Sequence, residues 1–523
     1  MAAGILGGAG GAVAGGHDET VRAAATILAE GGNAFDAACA GVAAACVCEP
    51  VLASLGGGGF LLAEPAGGEA RIYDFFVDTP ARRPDLGALD FEAIEADFGT
   101  ARQVFHIGLG ATAVPGLPAG LEAVARELGR LPLALSLAPA VGLAREGYLL
   151  RPVDAFVASV VAPIVTACPA LRSLHCRPDG GLRASGERMV QPDLAASLEQ
   201  LGREGAAPFY RGERAGQLAA LCRETGGLLA AEDLAGYRVR RRRPLATRFG
   251  GAGILTNAPP SSGGLLIAFA LDLLAGEALG GFGSARHLSL LGRAMALTSR
   301  ARLESGLATA EDADSETAAA ARLFDPDLVA RYRAELAGRP GVSRGTTHLS
   351  VVDRRGNAAA ATLSNGEGCG RVLPGSGIHL NNMLGEADLN PLGFHAWPTG
   401  VRLGSMMAPT LARTADGGLL ALGSGGSNRL RTAILQVLVN CLGHGLDPAA
   451  AVTAPRLHVE NGTVQVEPGF KAAALAGLAE FGAPTRWPEP NLFFGGVHLV
   501  RRAADGVLAA VGDPRRGGAA QVI

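Results

Sequence analysis

One peptide junction in this chain could do chemistry by itself. In the run Ser343-Arg344-Gly345-Thr346-Thr347-His348-Leu349-Ser350-Val351-Val352-Asp353, a break between Gly345 and Thr346 would place a threonine at a new chain start. Its hydroxyl would be the nucleophile. Its α-amino group, which titrates near pH ~8, would be the base that takes the hydroxyl proton. The same run also suits an ordinary strand beginning after a turn, so its meaning depends on what the rest of the chain brings to it.

Arg354-Arg355-Gly356-Asn357 separates two strand-like runs and reads as a hairpin turn. If Asp353 pairs with Ala358, Asn365 falls opposite Thr346 and Ser364 opposite Thr347, and a slip of one residue still delivers a hydroxyl and an amide beside the nucleophile. An acyl carbon under attack also needs donors where the oxyanion grows, and preorganised backbone N–H groups supply them best. Gly423-Ser424-Gly425-Gly426-Ser427-Asn428 suits that task, between a strand over 418–422 and an apolar-periodic helix over 429–442. Alone, such a glycine-rich turn is common.

The totals remove several other chemistries. The chain has 523 residues, 48% hydrophobic and 18% charged, with a net charge of -3, so it folds around a sizeable core and offers no basic field for nucleic acid or membrane. Lys471 is its single lysine and lies in no phosphate-loop context, which excludes Schiff-base and P-loop mechanisms. The eight cysteines form no CxxC pair, the ten histidines are scattered, and no HExxH occurs. No metal and no cofactor are expected. His348 reads as a strand residue, not as a triad base. The first residues lack a basic n-region, and this predicts a cytoplasmic location.

The elements that must hold these groups follow from periodicity. Residues 17–49 read as a helix or helix pair. The run Gly56-Gly57-Gly58-Gly59 leads into a strand over 60–63 that pairs with 71–76. Residues 119–150, 186–236 and 265–274 read as helical, and 308–345 as an exposed, mobile segment ahead of the cut. Strands follow at 348–353, 358–364, 418–422 and 464–466. The pattern predicts a helix-rich part over 1–345, a β-rich part over 346–523, and a four-layer α/β arrangement.

Together these residues carry a resemblance. Leu28-Ala29-Glu30-Gly31-Gly32-Asn33-Ala34, Leu55-Gly56-Gly57-Gly58-Gly59-Phe60, Val114-Pro115-Gly116, Pro259-Pro260-Ser261-Ser262-Gly263-Gly264, Thr346 to Asp353, Leu380-Asn381-Asn382 and Gly423-Ser424-Gly425-Gly426-Ser427 occur in one order. In these blocks the chain resembles the γ-glutamyltransferase (glutathione hydrolase) family of N-terminal-nucleophile hydrolases, from about residue 12 to 469. The resemblance implies an αββα sandwich built from both pieces of a self-cut precursor, of 345 and 178 residues. It implies a heterodimer of those pieces, open to further dimerisation. Thr346 is then the catalytic nucleophile, Ser364 the helper hydroxyl where the family has threonine, and Gly425, Gly426 and Ser427 the oxyanion turn. Asn365 lies one residue from the family's asparagine position, and Ser405 matches part of a paired-serine substrate motif.

Two departures bear on substrate. Phe76 stands where the family places a carboxylate-clamping arginine, and a phenyl ring cannot replace a guanidinium–carboxylate pair. Glu386 replaces an aspartate that holds the substrate's amino group, with Met383 beside it. Arg371, Arg402 and Arg429 are candidate replacement cations, each equally suited to a structural ion pair. The expected activity is cleavage of γ-glutamyl or related acyl amides, the acyl group passing to water, an amino acid or a peptide. An acylase for glutaryl- or cephalosporin-type side chains is the alternative within the class. An unprocessed, non-catalytic binding protein is the alternative outside it.

Overall fold

The computed structural model describes residues 10–83, 86–97, 102–307, 313–335, 346–387, 389–390, 393–426, 429–460 and 462–523. Thirteen strands among them build two large sheets. In chain order these are β1 (Gly11–Gly15), β2 (Gly58–Glu64), β3 (Arg71–Phe75), β4 (Arg240–Arg242), β5 (Leu245–Phe249), β6 (Ala252–Thr256) and β7 (Thr347–Asp353), followed by β8 (Ala358–Ser364), β9 (Thr410–Arg413), β10 (Leu419–Gly425), β11 (Gly496–Arg502), β12 (Leu508–Val511) and β13 (Ala519–Val522). One sheet runs β13-β1-β7-β8-β2-β3-β4 and the other β12-β11-β10-β9-β6-β5. The first sheet interleaves strands from both sides of Thr346, so neither part has that sheet without the other.

Alternation along the central strands explains the layering. Phe60, Leu62, Val352, Ala358 and Ala360 point into one core, shared with the second sheet and the helices behind it. Leu61, Leu349, Val351, Ala359 and Ala361 point into another, shared with the helices on the outer face. Those outer helices are α1 (Asp18–Ala29) and α2 (Ala34–Cys48). Asn33 starts α2 by accepting the N–H groups of Phe35 and Asp36, while the Asp36 carboxylate returns to the Asn33 N–H at 2.9 Å. Every residue of α2 is buried, and its alanine, glycine and cysteine side chains let it lie close on β7 and β8. Behind the second sheet stand α3 (Ser262–Leu274), α4 (Ala285–Glu304) and, further along, the helix Arg429–Leu438. The result is the expected four-layer αββα sandwich.

Several local expectations are corrected. Asp353 pairs with Asn357, not Ala358, because its carboxylate caps the turn: it accepts the N–H groups of Arg355 and Asn357 and the Asn357 side chain, at 2.7 to 3.0 Å. Within 308–345, residues Ala313–Leu323 and Pro326–Glu335 are helices, α5 and α6, that bury Leu323 and Tyr332. The strand expected over 418–422 continues to Gly425, and α7 (Arg429–Leu438) gives way to a π turn at Val439–Gly443. Among the described residues no helix is long and apolar enough to cross a membrane, and no cluster of three or more His, Cys, Asp or Glu side chains could hold a metal ion.

Candidate active site

Thr346 stands immediately before β7, in the middle of the first sheet, and is 3% exposed. The observed register pairs Thr347 with Leu363, and one further step sets Ser364 opposite Thr346, with Asn365 just beyond. Ser364 in turn pairs with Gly58 of β2. A Cβ on Gly58 would meet the Phe76 Cα at 3.0 Å, so Thr346, Ser364, Gly58 and Phe76 form one row across four strands.

The second sheet closes on Thr346 from the other face. A Cβ on Gly425 would overlap the Thr346 carbonyl oxygen, so β10 packs directly against the proposed nucleophile's backbone. Gly426 follows with φ of 124°, a conformation that favours glycine and turns the chain toward α7. Ser424 Oγ steadies this end by accepting the Gly496 N–H at 3.0 Å and donating to the Gly425 carbonyl at 2.8 Å.

A third group at Thr346 comes from the far end of the chain. Arg516 Nη1 donates to the Thr346 carbonyl at 3.0 Å. Buried ion pairs hold the short turn that carries it: Asp513 receives Arg456 at 2.6 Å and Arg515 at 3.2 Å, and Arg515 also reaches Glu467 at 2.5 Å. Burial pushes the Asp513 carboxyl up, but Arg456, Arg515 and two backbone N–H groups outweigh it and leave it below the usual carboxylate range. Burial also draws the Arg516 guanidinium down, opposed by Asp513, Glu367 and Glu49.

Glu49, at the end of α2, fixes the next residue. Its carboxylate accepts Thr347 Oγ1 at 2.7 Å and Thr20 Oγ1 at 3.0 Å. Sequence reasoning missed both Glu49 and Arg516. An acidic residue at a helix end and an arginine in Asp513-Pro514-Arg515-Arg516 each suit a surface, and only the fold turns them inward.

On the other side of Thr346, Ser364 Oγ accepts the Gly366 N–H at 3.0 Å. A Cβ on Gly366 would overlap both Asn382 Oδ1 and Glu386 Oε1, so Glu386 does reach the loop that follows Ser364. Asn382 Oδ1 accepts the Glu367 and Gly368 N–H groups at 2.9 and 3.2 Å, and this fixes the loop. Asn365 is fully buried, yet neither its Oδ1 nor its Nδ2 has a hydrogen-bond partner among the described residues. An unsatisfied buried amide is costly and usually signals a role.

The remaining candidates separate. Phe76 is buried and stacks on Phe60 with ring centroids 5.5 Å apart. Ser405 Oγ accepts the Met407 N–H at 3.0 Å, and its carbonyl accepts Ser261 Oγ and the Ser262 N–H at 3.0 and 2.8 Å. It therefore joins the Pro259-Pro260-Ser261-Ser262 turn to the segment leading into β9. Arg402 is committed to Asp74 and Asp78, both at 2.8 Å, and lies over Tyr237. Arg371 pairs with Asp90 at 2.7 Å. Arg429 is buried, donates to the Phe493 carbonyl at 2.7 Å and lies 4.5 Å from that ring's centre. Gly345 and Ser427 lie outside the described residues. His348 bonds Thr362 Oγ1 and Ser350 Oγ at 2.8 and 2.9 Å, and burial with His498 nearby holds it well below the usual imidazole range. It is a neutral residue between the sheets.

Two facing sheets between helical layers, with a threonine heading a central strand, define an enzyme of the N-terminal-nucleophile hydrolase class. The chain belongs to the gamma-glutamyltranspeptidase family, whose model matches residues 20–523. It is 33% identical to the Acylase ACY 1 proenzyme of Pseudomonas sp. (strain SE83), covering 94% of this chain and 90% of that one. It is 31% identical to the Glutathione hydrolase proenzyme of Escherichia coli (strain K12), covering 94% and 87%. In structure it resembles cephalosporin acylase from Bacillus halodurans with a TM-score of 0.84 at 25% identity, covering 100% and 97%. It resembles the gamma-glutamyltranspeptidase of Helicobacter pylori with a TM-score of 0.55 at 26% identity, covering 65% and 94%.

Proposed function

We propose that the precursor cuts itself between Gly345 and Thr346 and that Thr346 then cleaves γ-glutamyl or related acyl amides. The observation that carries this reading is the fixation of Thr346 from three directions: by Arg516 on its carbonyl, by Gly425 beneath it and by Ser364 across the hairpin. Such fixation is what a nucleophile needs to be held near its attack geometry. In the cut, Thr346 Oγ attacks the Gly345 carbonyl carbon, the Gly345–Thr346 amide bond breaks, and the ester left on Oγ is hydrolysed. In turnover, the free α-amine takes the Oγ proton as Oγ attacks the substrate carbonyl. That proton passes to the leaving amine, and water or an acceptor amine releases the acyl group from Oγ. The two pieces, 1–345 and 346–523, remain a heterodimer because they share the first sheet.

Intact-mass measurement tests this. Purified protein should give pieces of 345 and 178 residues, exposure to a substrate amide should add an acyl adduct to the smaller one, and Thr346→Ala should give a single uncut chain. An unbroken wild-type chain that turns over substrate would overturn the mechanism.

A second reading, acylase activity on glutaryl- or cephalosporin-type side chains, is favoured by the commitment of Arg402. With Phe76 in the clamp position and Arg402 held by two aspartates, neither supplies a guanidinium for an α-carboxylate. The names of the Pseudomonas and Bacillus halodurans relatives point the same way. Turnover of glutathione against a glutaryl amide separates the two, and strong glutathione hydrolysis would set the acylase reading aside.

A further inference from the structure

Away from Thr346 the chain forms a second cleft, of about 260 Å³, that none of Thr346, Ser364, Asn365 or Glu386 lines. Its volume lies just under the ~300 Å³ at which pockets for drug-sized ligands begin, so it suits a smaller molecule. Leu171, Leu174, Val190, Leu194 and Leu373 give it apolar walls, drawn from both sides of Thr346 in the chain. His379 also lines it, with its ring nitrogen already accepting the Gly370 N–H at 3.2 Å.

The polar groups at the cleft are of three kinds. His175 is 5% exposed and lines the cleft, yet its ring makes no hydrogen bond among the described residues. Burial, with His379 and Arg183 nearby, draws this imidazole down to about 3, so the ring is neutral and offers one donor and one acceptor. The helix Pro192–Glu204 starts at the cleft without a side-chain cap, and Gln191 Nε2 donates instead to the Val47 carbonyl at 2.7 Å. Pro192 has no N–H, and Gly377 packs so closely on the Leu194 nitrogen that a Cβ there would stand 2.6 Å from it. The Asp193 N–H is therefore the donor open at this helix start, a place that favours an anion. The third group is the Asp193 carboxylate, exposed at the rim, and no arginine or lysine lines the cleft to offset it.

These groups choose the ligand. A simple carboxylate would meet the Asp193 charge uncompensated, and a simple amine would leave the helix start and His175 unused. We infer that this cleft binds a small α-amino acid with an apolar side chain, at a site separate from Thr346. The carboxylate takes the Asp193 and His175 N–H groups, the ammonium takes the Asp193 side chain, and the apolar side chain lies on the leucine walls.

Calorimetry on the purified wild-type protein tests this with L-leucine, with leucinamide, which lacks the carboxylate, and with 4-methylpentanoate, which lacks the ammonium. Leucine should bind ~10-fold or more tightly than either analogue. Asp193→Asn, at an exposed position, should weaken leucine several-fold and leave 4-methylpentanoate no weaker. His175→Phe keeps a ring but removes its donor, and should weaken leucine and 4-methylpentanoate alike. Val190→Trp, at a rim position that is 44% exposed, should narrow the cleft and weaken all three compounds. An absence of leucine binding to wild type would overturn the site. Leucine affinity unchanged in Asp193→Asn and Val190→Trp would overturn it too, because the amino acid would then sit elsewhere, such as at Thr346. The proposed Thr346 chemistry is read separately, by its acyl adduct, and survives either result.

Discussion

Gly425 lies directly beneath the carbonyl of Thr346, with no room for a methyl group between the two sheets. Whatever the Gly425–Gly426 turn contributes to an oxyanion, its first requirement is steric. Gly425→Ala should therefore fold but displace Thr346. Self-cutting and acyl transfer should each slow by roughly 100-fold, the scale expected for a small misplacement of a reacting group. A denaturing gel followed over hours and single-turnover acylation would read the two effects, and unchanged rates would refute the packing argument.

Ser364 stands opposite Thr346 one step beyond the paired register of the hairpin, and its hydroxyl receives the Gly366 N–H. Ser364→Ala removes that acceptor and should reduce acylation by about 10- to 100-fold through loss of one positioned polar group. Ser364→Thr keeps the hydroxyl and should restore most of the rate. Loss in both variants would mean that shape, not the hydroxyl, matters at this position.

Glu49 is the acceptor for two buried threonine hydroxyls. Glu49→Ala should destabilise the protein by about 2–3 kcal/mol, because two buried hydrogen bonds to a charged group are lost. Thr347→Val removes only one bond and should cost about 1 kcal/mol. Urea unfolding of the processed protein gives both numbers.

Burial lowers His379 and His498 to about 4, and each uses a ring nitrogen to accept a backbone N–H, from Gly370 and from Asp513, at 3.2 Å. In the unfolded chain the same imidazoles take up a proton near pH ~6.5. Between these values the unfolded state binds more protons, so stability is full above pH ~6.5 and is lost as pH falls toward 4. Each histidine should contribute up to about 1.4 kcal/mol per pH unit in that window. His379→Gln should flatten the slope of urea stability against pH between those limits, and an unchanged slope would refute its assignment.

Much of the architecture was legible because side-chain period and turn chemistry are local properties. The hairpin on either side of Gly356, the β2–β3 pair and the helix pair over 17–49 all follow from alternation and glycine placement. The register was read one residue out because a carboxylate at Asp353 closed the turn more tightly than the strand pattern alone implied. The helices over 313–335 were missed because their polar, alanine-rich sequence shows no strong apolar stripe, and they gain stability from burying Tyr332 and Leu323.

The sequence by itself determined that Thr346 heads a strand, that Ser364 ends its hairpin partner, and that a glycine-rich turn follows the strand ending at Gly425, since each is a matter of residue type at a spacing along one or two neighbouring segments. Only the tertiary structure decided that Arg516, 170 residues away, grips the Thr346 carbonyl, that Glu49 anchors Thr347, and that Arg402 is consumed by Asp74 and Asp78. Those partners meet through the interleaving of both chain segments in one sheet. No local pattern encodes which distant charge a buried group will face, because that choice is made by the packing of whole layers.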